Sequence, residues 1–345
     1  MKPTLLAALA MLLNHAALAA DAPAPAAYTI AGSIALGDGE RWDYVTYDPV
    51  DQRAYVAHGD HVSVVDTAKQ MLVGDIGTFP GGTHGVAIVH DANVGYTDDA
   101  KAGEVIAFDL RTLQVTKKIK GDEDADGIVY DAASKHVFVI NGDSGTITVI
   151  DPRINDAVAT IRIGAGLEAA ETDGKGKLFV DGVEKHDLIV IDTKTNIVLA
   201  HYPMQGCERP HGIAVDAKAR RVFATCINKV MVVMNADNGK QIASVPIGAS
   251  SDGAAFDAKR KRVLSSNGEG TLSVIAEKDA DHFSAQSDVA TAKSARTIAI
   301  DPDSGNLFLP AATIAKVEPP TTPSGRSRTT YTPGSLKLLV LAPAK

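Results

Sequence analysis

The 345-residue sequence repeats one pattern of about 42 residues seven times. Its most recognisable part is a short apolar segment of six residues, which ends in Asp in six of the seven copies. These segments begin at residues 43, 84, 126, 168, 211, 252 and 296, so successive starts are 41 to 44 residues apart. Self-similarity at a fixed period indicates a repeat architecture, in which each unit is one supersecondary motif. The repeat therefore favours one domain over the two that the length alone would allow.

Each repeat contains four short segments with strand-like alternation, separated by turn residues, and almost no helical pattern. A unit of this length with four strands is typical of a β-propeller blade. One blade cannot bury both of its faces alone, so seven blades must stack around a central channel. The sequence therefore predicts an all-β protein, a seven-bladed β-propeller of four-stranded antiparallel blades.

The two ends of the chain are predicted to complete one blade together. The last repeat supplies only three strands, at residues 296–300, 306–309 and 336–341. The segment Tyr28–Leu36 is similar to the outer strands of the other repeats. We expect it to add the fourth strand of blade seven, which would hide edges that could otherwise pair with other chains. Residues 28–345 would then form a single propeller domain.

The first 20 residues have the features of a secretory signal peptide. Lys2 precedes the apolar run Leu5–Leu13, and small residues follow up to Ala20. The run is shorter than a membrane span, so we expect cleavage after Ala19 or Ala20 and a periplasmic or secreted protein. Residues 21–27 are a Pro/Ala tether without core-forming side chains.

The chain has two cysteines, Cys207 and Cys226. An exported protein folds in an oxidising compartment, where a disulfide is allowed and a free pair would be unusual. We therefore predict a disulfide between them. A metal site made of both thiolates and a nearby histidine is the alternative, and it would need both thiolates preserved.

Charge and motifs exclude several classes of function. Lys plus Arg total 34 against 42 Asp plus Glu, a net charge of −8, so nucleic acid is not an expected partner. No internal stretch reaches the length of a membrane span. The sequence also lacks GxSxG, HExxH, CxxCH and phosphate-loop motifs, so no nucleotide, haem or flavin is expected. We expect a monomer.

Whole blades resemble a known family. Segments such as Val139–Asp151 (VINGDSGTITVID) and Pro210–Asp216 (PHGIAVD) are similar to the repeats of the YVTN/YncE-like seven-bladed propellers, which occur in exported bacterial proteins. The resemblance covers about residues 28–345. It implies the propeller fold and an exported location.

The position that opens each first strand is ionisable in all seven repeats. Such a position is expected to face water or a ligand rather than the core. Four carboxylates and one arginine give this ring a formal charge of −3 when its two histidines are neutral, which would attract a cation. The ring consists of Asp43, His84, Asp126, Glu168, His211, Asp252 and Arg296.

Part of this ring could hold one divalent metal ion. Imidazole and carboxylate ligands suit Zn, Mn, Ni, Cu or Fe better than Ca. Metal-free binding of a small polar ligand, and a channel that is merely solvated, remain alternatives. The candidate metal ligands are His84, His211, Glu168, Asp126 and Asp252.

Residues beside the ring extend the candidate ligand-binding set. Arg41, Trp42 and Arg209 flank ring positions, and they join Asp43, Asp126, Asp252 and Arg296 as candidate ligand contacts. For Trp42 we favour packing between blades one and two over stacking on a ligand. The loops that join the second and third strands carry mostly Asn and Asp, including Asp98 and Asp181, which we expect to be mostly ordinary turn residues.

The loop at residues 311–334 is much longer than its counterparts in the other blades. Loops of this length inside a compact domain are usually functional or disordered. It carries Lys316, Arg326, Arg328 and Tyr331, which could fold over the mouth of the channel as a lid. The alternative to a lid is a mobile loop without a function.

These observations lead to two main hypotheses of function. The first is a periplasmic propeller that binds a small ligand, a divalent metal or a partner protein at the channel mouth. The second is a divalent-metal-dependent lyase or lactonase, because THG at Thr83–Gly85 and PHG at Pro210–Gly212 are similar to repeats of streptogramin B lyases. His84 or His211 would then be the general base, and Glu168 or Glu171 would hold the ion or move the proton. A structural scaffold that binds other proteins is a third class.

Overall fold

The computed structural model describes residues 26–164, 166–320 and 327–344. The predicted signal peptide and most of the predicted tether lie outside this range. The described chain forms seven antiparallel β-sheets of four main strands, arranged as the blades of a β-propeller. The fold class predicted from the repeat is therefore confirmed.

The strands follow the order of the repeats. The closing strand and blades one and two contain β1 (Tyr28–Gly37), β2 (Val45–Asp48), β3 (Arg53–His58), β4 (His61–Asp66), β5 (Met71–Ile76), β6 (Ala87–Val89), β7 (Val94–Asp99), β8 (Glu104–Asp109) and β9 (Val115–Lys120). Blades three to five contain β10 (Ala125–Asp131), β11 (His136–Asn141), β12 (Thr146–Asp151), β13 (Asp156–Arg162), β14 (Leu167–Thr172), β15 (Lys177–Gly182), β16 (Asp187–Asp192), β17 (Ile197–Pro203), β18 (Pro210–Asp216), β19 (Arg221–Cys226), β20 (Val230–Asn235) and β21 (Gln241–Pro246). Blades six and seven contain β22 (Ser251–Asp257), β23 (Arg262–Asn267), β24 (Thr271–Asp279), β25 (His282–Ala285), β26 (Val289–Ala290), β27 (Ala299–Ile300), β28 (Leu307–Ala311), β29 (Ile314–Glu318), β30 (Arg328–Tyr331) and β31 (Leu336–Pro343).

Burial along each blade follows the position of the strand. The central strands are buried on both faces, as in β12, where all six residues are buried. The outer strand β17 alternates between exposed and half-buried residues. This difference arises because neighbouring blades cover both faces of the central strands, whereas the outer strand meets solvent.

Blade seven is closed by the N-terminal strand, as predicted. Its sheet order is β1-β31-β28-β27, and β1 pairs antiparallel with β31 from Tyr28 opposite Pro343 to Gly37 opposite Leu336. The Tyr28 hydroxyl also donates a hydrogen bond to Asp257 Oδ2 of blade six at 2.9 Å. The N-terminal and C-terminal strands therefore pair in one sheet, and a hydrogen bond links that sheet to blade six.

Trp42 packs between blades one and seven. Its side chain is 1% exposed and lies in an apolar cluster with Ile34, Phe308 and Leu338. The Tyr331 ring lies beside it, with ring centroids 4.6 Å apart. Packing was the expected role, but the prediction that blade two would be the partner was wrong, because the strands that complete blade seven cover this side of blade one.

The long loop of blade seven contains a two-stranded hairpin of β29 and β30. Residues 321–326, including Arg326, lie outside the described range. The hairpin reaches blade one through the contact of Tyr331 with Trp42. A role as a lid stays a prediction.

Among the described residues, no helix is long and apolar enough to cross a membrane. The described helical segments are two short 3-10 turns, His90–Ala92 and Ala100–Ala102.

Candidate functional site at the channel mouth

Three residues of the predicted ring meet at the mouth of the channel. His211 Nδ1 lies 3.2 Å from Glu168 Oε1 and 3.3 Å from Asp252 Oδ1. These residues open the first strands of blades five, four and six, so His211 sits between its two neighbours in the ring. The three side chains are 17%, 20% and 19% exposed, in the order His211, Glu168, Asp252. They form a compact group of one imidazole and two carboxylates that remains open to the channel.

The two carboxylates strongly favour a charged imidazole. Burial lowers the pKa of His211, but the hydrogen bonds and charges of Asp252 and Glu168 outweigh this effect and raise the pKa to about 10. Burial acts on Asp252 in the opposite sense, yet His211 and Arg296 hold the pKa of Asp252 below its ordinary value. In the metal-free protein, a proton on His211 therefore occupies the place between the carboxylates at neutral pH.

Arg296 ties this group to the next part of the ring. Its Nε donates to Asp252 Oδ2 at 2.6 Å, and its Nη2 lies 3.3 Å from Asp43 Oδ2. The same Nη2 donates to the carbonyl oxygen of Trp42 at 2.7 Å. Burial raises the pKa of Asp43 to about 6 despite the nearby Arg296 charge, and Asp252 adds to the rise. Arg296 thus partly compensates two crowded carboxylates.

Asp126 adds a further carboxyl group to the channel. Among the described residues, no hydrogen bond or ion pair to its side chain is formed. Burial, followed by the charges of Glu168, Asp43 and Asp252, raises the pKa of Asp126 well above its ordinary value. A cation bound nearby would relieve this crowding.

His84 is held in a different arrangement. Its Nδ1 lies 3.0 Å from Asp98 Oδ2, and Arg41 Nη2 contacts its Nε2. Asp98 Oδ1 also accepts the backbone N–H of His84 at 2.9 Å. Burial lowers the pKa of His84, but Asp98 outweighs it and raises the pKa above its ordinary value. The contact with the Arg41 donor requires the Nε2 lone pair, so this geometry corresponds to a neutral ring that donates from Nδ1.

The structure therefore brings together only part of the predicted metal set. Among the described residues, the ring contributes Glu168, His211 and Asp252 to a group with metal-ligand spacing, and neither His84 nor Asp126 belongs to that group. Seven-fold geometry explains why His84 is apart from His211, because blades two and five lie on opposite sides of the channel. Arg209 is half-buried beside Pro210.

A second group with such spacing lies at the opposite end of the channel and consists of Asp48, Asp51 and His90. Asp48 Oδ1 accepts the backbone N–H of Val50 at 3.0 Å and lies 2.7 Å from His90 Nε2. Asp51 and His90 are exposed. The turn after the first strand accounts for the position of Asp48.

Asp98 and Asp181 are not ordinary turn residues. Both side chains are fully buried near the end of a second strand, and Asp98 fixes His84. Neither carboxylate oxygen of Asp181 has a hydrogen-bond partner, and neither does the buried Nε2 of His211. Burial raises the pKa of the Asp181 carboxyl well above its ordinary value, and the nearby charge of His211 lowers it by a smaller amount. Buried polar groups without partners next to a candidate ligand are typical of a polar binding site.

Tyr44 crosses the channel, and the sequence reasoning missed it. It comes from blade one, but its ring packs against an apolar cluster of blades four and five that includes Ala169 and Ile213. Its buried hydroxyl has no hydrogen-bond partner. Burial and the charges of Asp126, Glu168, Asp252 and Asp43 raise the pKa of this hydroxyl. The phenol therefore lies close to the carboxylates of the mouth.

The sequence does contain a signal for Tyr44. The position after each ring residue is small in six repeats, at Gly85, Gly127, Ala169, Gly212, Gly253 and Thr297, and is Tyr44 in the first. The small residues allow close approach, since a Cβ on Gly212 would lie 2.8 Å from Gly253 Cα. One aromatic residue among six small ones can therefore extend across the channel.

Comparison with known proteins supports the fold alone. The sequence matches no family model and no curated protein. Three similar solved structures are Kuenenia stuttgartiensis hydrazine synthase, a mitotic checkpoint complex and the WD40 repeats of RRP9. They share 17%, 15% and 11% sequence identity and have TM-scores of 0.68, 0.70 and 0.73, respectively. The matches cover 81%, 88% and 93% of this chain and 95%, 96% and 99% of those chains.

Proposed function

We propose that this protein is an exported β-propeller that binds one divalent transition-metal ion at Glu168, His211 and Asp252. The observation that carries the proposal is the spacing of the three ligand atoms, with His211 Nδ1 at 3.2 and 3.3 Å from the two carboxylate oxygens. A tetrahedral ion with bonds of about 2.0–2.1 Å separates its ligands by about 3.3–3.4 Å. The side chains therefore need only a small adjustment to exchange the proton for an ion.

The surroundings of the three ligands support this proposal. A ligating histidine usually donates its second ring N–H to a carboxylate or a water, and the orphaned Asp181 carboxyl near His211 suits this role. Three protein ligands would leave one position for water or a small anion. Arg41 and Arg296 are positioned at the same mouth to attract such an anion. Binding of a small ligand at the mouth would then depend on the ion.

The geometry favours binding over the lyase or lactonase alternative. A general base needs a free nitrogen at neutral pH. His211 would use Nδ1 as a metal ligand, and without an ion its raised pKa keeps it protonated. His84 is engaged by Asp98 on one nitrogen and by Arg41 on the other. Catalysis by either histidine would first require these contacts to break.

Export of the protein is supported by the pattern of residues 1–20 and by the disulfide between Cys207 and Cys226. An oxidising compartment would keep that disulfide intact. The thiols would then not be ligands, which leaves the carboxylates and His211 as the metal set. The YVTN/YncE-like resemblance implies the same location.

Calorimetric titration of the tag-free protein with Zn²⁺ and Mn²⁺, each alone, tests the proposal. We expect one ion per chain for at least one metal, and at least a 100-fold loss of affinity in the double variant Glu168→Gln/His211→Ala. The control is His282→Ala, which removes an exposed histidine far from the mouth and should leave the affinity unchanged. Absence of stoichiometric binding, or equal affinity in the double variant, would overturn the proposal.

Metal affinity is expected to rise with pH. Each ion must displace the proton from His211, whose pKa is raised to about 10 in the metal-free protein. Between pH 6.5 and 8.5 the apparent association constant should therefore increase about tenfold per pH unit. The same titrations repeated across this range would measure the slope. In His211→Ala any residual binding should lose this slope, and a pH-independent affinity in the unaltered protein would contradict the exchange of a proton for the ion.

A further inference from the structure

The channel contains a second cavity on the far side of Tyr44. This cavity has a volume of about 780 Å³ and receives wall residues from all seven blades. None of the seven ring residues lines it, and turn residues such as Pro49, Asp91 and Lys135 form its rim. A smaller cavity of about 140 Å³ lies above it, and Tyr44 lines only that one. The larger cavity, which we call the lower chamber, therefore opens at the face opposite the mouth.

Hydrocarbon covers slightly more than half of the chamber wall. The first strands contribute Val45, Val86, Ile128, Ala214, Ala254 and Ile298 to it. The volume falls within the range of about 300–1,000 Å³ that is typical of small-molecule pockets. Such pockets combine apolar walls with a few polar groups that orient the ligand. The lower chamber has the size and the walls of a binding site for a compact apolar molecule.

One carboxylate lies deeper in this chamber than Asp48 and Asp91 at its rim. Glu171 lines both the lower chamber and the smaller cavity above it. The equivalent position is apolar or Thr in the other six blades, at Thr46, Ala87, Val129, Ala214, Ala255 and Ala299. Among the described residues, the hydrogen bond that the Glu171 side chain accepts comes from the adjacent backbone N–H of Thr172, at 2.9 Å, and no lysine, arginine or histidine pairs with it. The Glu171 side chain is exposed within the channel, and the surrounding walls still desolvate its carboxyl enough to raise its pKa.

A cation bound beside an unpaired carboxylate in such surroundings would stabilise its ionised form. Glu171 does not belong to the group of Asp48, Asp51 and His90 that has metal-ligand spacing at the rim, so a divalent metal ion at Glu171 would lack further protein ligands. An organic ammonium group carries its own apolar body and needs only one counter-ion. Asp48 and Asp91 at the rim add negative charge along the approach, against Lys135 and His90.

We propose that the lower chamber binds a small hydrophobic ammonium compound, with Glu171 as the counter-ion and the apolar walls around its hydrocarbon part. This site is separate from the metal site of the mouth, because Tyr44 and the small residues at its level lie between them. Each site can therefore be tested without the other.

The test compares three probes with the same phenylethyl body: 2-phenylethylamine, 2-phenylethanol and 3-phenylpropionate. Calorimetry or ligand-observed NMR at pH 7.5 with a metal chelator would measure their dissociation constants on the full-length protein. We expect the ammonium probe to bind at least tenfold tighter than the alcohol, and the carboxylate probe to bind weakest. The chelator should have no effect on these values, which distinguishes this site from the metal site.

Two variants separate charge from shape. Glu171→Gln should remove the preference for the ammonium probe and keep the affinity for the alcohol. Ala254→Leu should weaken both probes by filling the chamber, whereas Glu40→Gln, at an exposed position, should change neither. Circular dichroism would verify that each variant is folded. Failure of the unaltered protein to bind 2-phenylethylamine, or an unchanged preference in Glu171→Gln, would overturn the proposal whatever the outcome of the metal titrations.

Discussion

Replacing Arg296 with methionine should lower the free energy of unfolding by about 3 kcal/mol at pH 8, because it leaves the half-buried carboxylate of Asp43 without its ion-pair partner and Asp252 with His211 alone. The value is at the lower end for such a change, since 28% of the Arg296 side chain is exposed to the channel. Urea unfolding followed by circular dichroism would measure the loss. Adding Asp43→Asn should restore part of the stability, because the unpaired charge of Asp43 is then removed.

The loss of stability in Arg296→Met is expected to depend on pH. Arg296 favours the ionised forms of both Asp43 and Asp252. Asp43, whose pKa is raised to about 6, takes up a proton as the pH falls through that value, so its share of the Arg296 contribution is lost between pH 8 and pH 4, whereas the share of Asp252, whose pKa is held below its ordinary value, is lost only at lower pH. The difference between Arg296→Met and the unaltered protein should therefore shrink between pH 8 and pH 4.

The control for this change is Arg153→Met, which removes an arginine that is 79% exposed from its ion pair with Asp151. This control should cost less than about 1 kcal/mol. An equal effect of both variants would contradict the role assigned to Arg296. Affinity for a divalent ion should rise in Arg296→Met, because the lost group is a cation at the mouth.

The repeat made nearly the whole fold predictable. Its period fixed the number of blades, and the missing strand after Leu336–Leu341 indicated that the N-terminal segment closes blade seven. These inferences depend only on chain connectivity and on the need of each blade for neighbours. The partner of Trp42 was not predictable in this way, because it depends on how the hairpin and β31 cover one side of blade one.

The candidate site could be predicted in position but not in its contacts. All seven ring residues were found from their place in the repeat, yet the repeat does not indicate which side chains meet. The distances depend on side-chain directions, which bring His211 to Glu168 and Asp252 but His84 to Asp98. Asp181 resembles an ordinary turn residue in the sequence. Its burial beside the site could therefore not be predicted without knowing where the second strand ends.

The most informative departures are residues that break the pattern at equivalent positions. Tyr44 stands among six small residues, and Glu171 stands among apolar residues and one Thr. In a ring of similar blades, neighbouring copies define what packing alone requires. A single exception therefore indicates a feature of this channel rather than of the fold. Tyr44 separates the mouth from the lower chamber, and Glu171 gives that chamber a negative charge.

The other large effect is expected from the disulfide between Cys207 and Cys226, whose sequence separation is 19 residues. Closing a loop of this length restricts the unfolded chain, so the double variant Cys207→Ala/Cys226→Ala should lose about 3 kcal/mol of stability. Both residues are buried in the apolar cluster between blades four and five, and alanine keeps that surface free of new polar groups. Urea unfolding of the double variant beside the unaltered protein would measure the difference.

Treatment with a reductant distinguishes the cross-link from packing. Complete reduction should lower the stability of the unaltered protein toward that of the double variant, which itself should not respond. The bridge lies just before the strand that carries His211, and Pro210 pairs with Cys226 across the sheet. Because that pairing persists without the bridge, the double variant should retain metal affinity within about threefold, that is, within about 0.7 kcal/mol. Equal stability with and without the disulfide would show that the segment before His211 is held by the β-sheet alone.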